Sequence, residues 1–93
     1  MEKYFIVRAD RAGVFFGKIK ETKSNELIVM TDVRKIFYWD GACAVEQISQ
    51  DGVNNNSKLT VVIPEMTISN PVQVIECSEK ATEKLKSHKA WKK

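Results

Sequence analysis

Apolar residues fall in short bursts separated by turn-forming residues, a spacing that suits strands better than long helices. Tyr4, Phe5, Ile6 and Val7 lead into Arg8 and Ala9, so residues 3–9 read as a half-buried strand. Asp10-Arg11-Ala12-Gly13 follows as a turn, where Asp can close the loop through its side chain and Gly can supply a positive φ. Val14, Phe15 and Phe16 open a second strand that runs to about residue 20, completing a hairpin. Gly17 within it marks a bulge, a sharp bend or the close approach of another backbone. A second turn over residues 23–26 leads to a third strand at 27–30, which Thr31-Asp32 breaks or bends.

The densest stretch is Val33-Arg34-Lys35-Ile36-Phe37-Tyr38-Trp39-Asp40-Gly41-Ala42. Strict alternation would set Val33, Lys35, Phe37 and Trp39 on one face and Arg34, Ile36 and Tyr38 on the other. Neither face is cleanly apolar, so either a bulge re-aims side chains or both faces are partly covered. Asp40 is placed to cap a helix over residues 41–51, with Ala44, Val45 and Ile48 as its buried stripe and Gly52 just past its end. Residues 53–57 form an exposed loop and 58–63 a β-branched strand that Pro64 stops. Residues 66–68 suit a short edge segment, and 72–76 a last strand. Ser78 caps a final helix to about residue 87, whose thin stripe of Ala81, Leu85 and His88 predicts weak docking.

These elements sum to an α+β protein: a single domain with a twisted antiparallel sheet of about five to six strands and two short helices. An SH3-like half-barrel is a variant of the same reading. Residues 1–87 make up the domain and 88–93 a basic C-terminal tail. The length of 93 residues leaves no room for a second core.

The net charge of +3 is unevenly spread: residues 80–93 carry +5 and the remainder −2. Such a lysine cluster reads first as a solvated end. No apolar run approaches the roughly 20 residues that span a bilayer, so no membrane association is expected. Charge interrupts the N-terminal apolar run after four residues, which is not a secretory signal. The chain reads as a soluble protein of the bacterial cytoplasm. Two cysteines, Cys43 and Cys77, and one histidine, His88, are too few for a disulfide framework or a structural zinc site, so no cofactor or metal is expected.

Residues 8–17 and the Arg34-to-Ala42 block with its Tyr38-Trp39-Asp40-Gly41-Ala42 core resemble the signature of a family of small uncharacterised bacteriophage and prophage proteins. Residues 58–62, Val74-Ile75-Glu76 and the Trp near the end fit as well. Three consecutive asparagines at 54–56 depart from the more mixed loop of that family. The resemblance implies an accessory protein of phage or prophage origin, and no reaction, substrate or ligand.

Catalytic chemistry finds little support. Cys43 near a helix start reads as a small buried thiol, with only His88 as an imagined base. Asp10, Asp32 and Asp40 sit where turns and caps want Asp. Gly13 and Gly17 lack the Lys-Ser/Thr and helix of a phosphate loop. The leading expectation is a non-enzymatic protein that binds a host or phage macromolecule, with an unprotected sheet edge pairing two copies into a homodimer. Its binding residues would be Arg8, Arg11, Arg34, Tyr38 and Trp91. Nucleic-acid binding through an arginine and aromatic sheet edge is the alternative. It ranks second because Phe37, Tyr38 and Trp39 are expected in the core, with the arginines paired to Asp10, Asp32 and Asp40.

Overall fold

The computed structural model describes residues 2–92; Lys93, counted above in the basic tail, lies outside them. The chain runs β1 (Phe5–Ala9), β2 (Gly13–Ser24), β3 (Leu27–Tyr38), α1 (Val45–Asp51), β4 (Lys58–Leu59), β5 (Ile63–Ser69), β6 (Pro71–Glu76) and α2 (Glu79–Ser87). The six strands form one antiparallel sheet in the order β4-β3-β2-β1-β6, with β5 also paired to β3. The α+β expectation holds. The expected break at Thr31-Asp32 is a bend within a continuous twelve-residue strand.

β3 organises the sheet. Its first half pairs with β5 from Leu27↔Ser69 to Val33↔Ile63, and its second half pairs with β4 at Ile36↔Leu59 and Tyr38↔Lys58. A slip between the two halves changes which alternate positions face each of the two apolar clusters. Ile28, Met30 and Val33 all enter one apolar cluster, although Val33 breaks the two-residue period, and Ile36 enters the other. The slip occurs at Asp32, which takes a left-handed φ of 50°. A matching register shift in β2 lies between Phe16 and Lys18, at Gly17. A Cβ on Gly17 would stand 3.0 Å from the Thr31 carbonyl oxygen and 3.1 Å from the Val33 Cα. Glycine is there because the bulged backbone of β3 presses against it.

Both faces of the sheet are covered. On one side Ile6, Val14, Phe16 and Ile36 pack against Val45 and Ile48 of α1 and against Ala81 and Leu85 of α2. Val7, Ala9, Phe15, Met30 and Ile68 fill the other side, where the sheet curls over itself. The curl is fixed by Asn70, the one residue between β5 and β6, with φ of 54°. Its N–H donates to the Glu26 carbonyl at 2.7 Å, and its carbonyl accepts from the Asp10 N–H at 3.0 Å. Glu26 and Asp10 flank opposite ends of β2, a strand that would span about 40 Å if straight. One residue reaches both, so β2 is strongly bent. Among the described residues no rungs join β5 to β6, and the sheet stays open.

α1 differs from expectation at its start, whereas α2 begins at Glu79 behind the expected Ser78 cap. α1 begins at Val45, with Ala44 as an N-cap lacking any side-chain cap bond, so Asp40 does not cap it. Asp40 is held elsewhere: its N–H donates to Ser57 Oγ at 2.9 Å and its carbonyl accepts the Asn54 N–H at 2.8 Å. Gln47 Oε1 instead reaches back to the Cys43 N–H at 2.8 Å. Ala44 is exposed, so the buried stripe of α1 is Val45, Ile48 and Ser49. Gly52 closes the helix as foreseen, with φ of 78° and its N–H on the Ile48 carbonyl at 2.9 Å.

α2 docks more firmly than its sequence suggests. Ala81 and Leu85 are wholly buried. Ser78 Oγ accepts the Ala81 N–H at 3.1 Å and donates to the Gln50 carbonyl at 2.6 Å, while the Ser78 N–H donates to the Ser49 carbonyl. The cap residue therefore ties α2 to the end of α1.

Candidate functional site

The aromatic end of β3 is exposed. Between Ile36 and Tyr38 the register with β4 shifts by one residue, which places Phe37 at a bulge. Alternation fails there, and Phe37 and Tyr38 are 43% and 50% exposed. The expectation that both are core residues is overturned. Trp39 alone of the three packs against the helix-side core, and only partly.

The C-terminal tail completes this surface. Ala90 bridges Leu59 in parallel, and the Trp91 N–H donates to the Leu59 carbonyl at 2.9 Å. This lays the tail along the outer edge of β4 and brings the Trp91 ring edge-on to Phe37, with centroids 5.8 Å apart. Lys58 Nζ stands 4.8 Å from the Trp91 ring centre and 5.8 Å from that of Tyr38. Trp91 remains 47% exposed. Three half-exposed rings and an ammonium group thus share one edge of the sheet, with polar tips and π-faces open to solvent.

Arg34 lies apart from this surface and beneath the sheet. It is 3% exposed. Its Nε donates to the Thr60 carbonyl at 2.9 Å, and its Nη1 donates to the carbonyls of Leu85 at 2.8 Å and His88 at 2.7 Å. Burial lowers its pKa from the ordinary guanidinium value. It pairs with no aspartate among the described residues, and none of Asp10, Asp32 and Asp40 takes an arginine partner. Asp32 bonds Lys18 at 2.9 Å instead, and Lys18 also holds Glu2 at 2.9 Å. The guanidinium therefore answers the partial negative charge at the C-terminal end of α2.

Arg8 and Arg11 are exposed, but they do not join the rings either. β1 lies inside the sheet between β2 and β6, so Arg8 is three strand spacings, about 14 Å, from the β4 edge. Arg11 sits in the first turn with φ of 67°. Of the five residues singled out in the sequence, Tyr38 and Trp91 come together. Lys58 and Phe37 belong with them and were missed. The signal for Lys58 was faint: one lysine opening a β-branched strand.

Beside the rings runs a cationic trough between the 53–57 loop and the end of α2. A groove of about 710 Å³ is lined by Asn54, Asn55, Lys84, His88 and Lys89 among others. It shares Asn55, His88 and Lys89 with a neighbouring hollow of about 300 Å³ that Trp91 and Lys92 border. No carboxylate lines either one among the described residues.

The thiols divide by environment. Cys43 is exposed, contrary to the expected buried thiol. Cys77 is half-buried, and burial, aided by Glu76, pushes its pKa up to about 12. The His88 ring nitrogens lie against the Lys89 carbonyl at 2.9 Å and the Asn54 carbonyl at 3.3 Å. Among the described residues no cluster of metal-ligating side chains occurs, and no helix is long and apolar enough to cross a membrane.

The chain is a small α+β domain with one antiparallel sheet and two helices. Residues 2–85 match the family DUF6948, a domain of unknown function, and the chain belongs to that family. No curated protein and no solved structure matches the chain significantly. The family match ends before Trp91, so the aromatic edge draws one of its three rings from outside the matched region.

Proposed function

We propose that this is a non-enzymatic accessory protein of phage or prophage origin that acts in the host cytoplasm by binding nucleic acid at the β4 edge. The observation that carries the reading is the exposure of Phe37, Tyr38 and Trp91 together, under the Lys58 ammonium. Rings that a core would have consumed are presented as flat surfaces, and bases stack on such surfaces whatever their sequence. The surrounding lysines supply attraction for phosphate.

Titration of the protein with mixed-sequence oligonucleotides, followed by tryptophan emission, tests the reading. Binding should quench Trp91 and weaken steeply as salt rises. Absence of binding at low salt, or a salt-insensitive association with a protein from host lysate, would overturn it.

A separate observation favours self-association. Among the described residues β6 pairs with no strand but β1, and Val72 and Val74 on it are 62% and 48% exposed. A second copy aligned antiparallel about Gln73 would set Val72 of each strand opposite Val74 of the other. Light scattering behind size exclusion should read a dimer that Val74→Lys dissolves. A native chain that stays monomeric at high concentration rules this pairing out.

A further inference from the structure

Resting on the reading of the β4 edge as a polynucleotide surface, we infer that the ligand is single-stranded. Its bases would stack on Trp91 and its neighbours, and its phosphodiester backbone would lie in the trough between the 53–57 loop and the end of α2. The trough and the rings are continuous: the smaller hollow ends on Trp91 and Lys92 and shares His88 and Lys89 with the larger groove. The lining offers what phosphate oxygens accept, namely ammonium groups from Lys84, Lys89 and Lys92 and side-chain amides from Asn54 and Asn55.

The underside of the trough makes the same case. A helix C-terminus normally presents partial negative charge, which would repel an anion lying beside Ser87 and His88. Here the buried guanidinium of Arg34 takes up the Leu85 and His88 carbonyls from below. With the helix end neutralised and no carboxylate among the described lining residues, the trough is cationic along its length. The other large hollow, about 460 Å³ beside Tyr4 and Cys77, is lined by Glu2, Glu76, Glu79 and Glu83 and suits no polyanion.

Single strands fit this arrangement because their bases are free to leave a neighbour and take a ring, whereas in a duplex the flat faces are already stacked. Phe37 and Tyr38 line neither hollow and Trp91 borders only the smaller one, so base contacts fall at one end of the backbone track.

The test uses the whole chain and a fluorescein-labelled twelve-nucleotide oligodeoxythymidylate, with the matching dT·dA duplex as competitor. The native protein should bind the single strand at least tenfold more tightly than the duplex. Lys84→Gln, Lys89→Gln and Lys92→Gln combined should weaken binding and lower the salt slope by about 2, at roughly 0.7 per phosphate contact on single strands. Trp91→Ala should weaken binding about tenfold or more while leaving the salt slope unchanged. Retained native unfolding curves show that each variant is folded. If the triple variant keeps the native slope while Trp91→Ala still loses binding, the trough is not the backbone track and the aromatic reading survives. Equal affinity for the duplex overturns the single-strand assignment. If the native chain binds neither, both readings fall.

Discussion

Arg34 donates through one nitrogen to both Leu85 and His88, at 2.8 and 2.7 Å, and so links the middle of the sheet to the last turn of α2. The side chain is buried without an ion-pair partner among the described residues, and its three hydrogen bonds all go to backbone oxygens. No buried side-chain nitrogen or oxygen among the described residues lacks a partner.

Arg34→Met leaves three carbonyls without their donor and should destabilise the fold by about 2–4 kcal/mol, since bonds to charged groups are the stronger ones. Arg34→Lys keeps the charge but loses the planar fork and should fall between. Urea denaturation measures both, and a Met variant as stable as the native chain would show that the carbonyls find water instead.

Gly17→Ala should cost about 1–3 kcal/mol even though an extended residue could adopt its backbone, because the new methyl group meets the Thr31 and Asp32 carbonyls and the Val33 Cα. All three are main-chain atoms that cannot swing aside. Thermal unfolding measures it, and a neutral result would mean that the bend in β3 relaxes freely.

The two thiols should react at different rates. Cys43 is exposed and should label promptly with a thiol reagent at neutral pH; Cys77 should label slowly, through opening of the fold. Cys77 also makes stability depend on alkali. Below pH 9.0, the ordinary thiol value, folded and unfolded chains both hold the proton and the group contributes no pH dependence. Between 9.0 and about 12 only the unfolded chain loses it, so stability falls as pH rises. Cys77→Ala should flatten that part of the native curve; two parallel curves would refute the assignment.

Acrylamide should quench Trp91 more readily than the partly packed Trp39, so Trp39→Phe should leave the more quenchable emission. Phe37→Ala removes the edge contact with Trp91 and should cost about 1 kcal/mol while increasing that quenching. Quenching unaffected by Phe37→Ala would mean that the backbone bond to Leu59 alone holds the tail.

Much of the fold is legible in the sequence where the cause is local. The Ser78 cap, the Gly52 stop and the two hairpin turns each depend on residues within a few positions, whereas Gly17 shows only as a glycine in a strand and its cause, the Thr31–Val33 backbone, lies 14 to 16 residues on. The aromatic edge is not, because Phe37 is turned outward by pairing with Lys58-Leu59, about twenty residues later. Arg34 is obscured for a related reason: its partners are carbonyl oxygens, which every residue has, at positions 26 to 54 residues away. Asp40 has the chemistry of a cap, but the 54–57 loop engages its backbone groups first.

The single-residue joint at Asn70 has a mechanical consequence. β5 and β6 hang on opposite margins of the sheet, yet neither can peel away without pulling on the other through a tether one amino acid long. Amide protons along the two margins should therefore exchange with solvent in concert, as one opening unit rather than two.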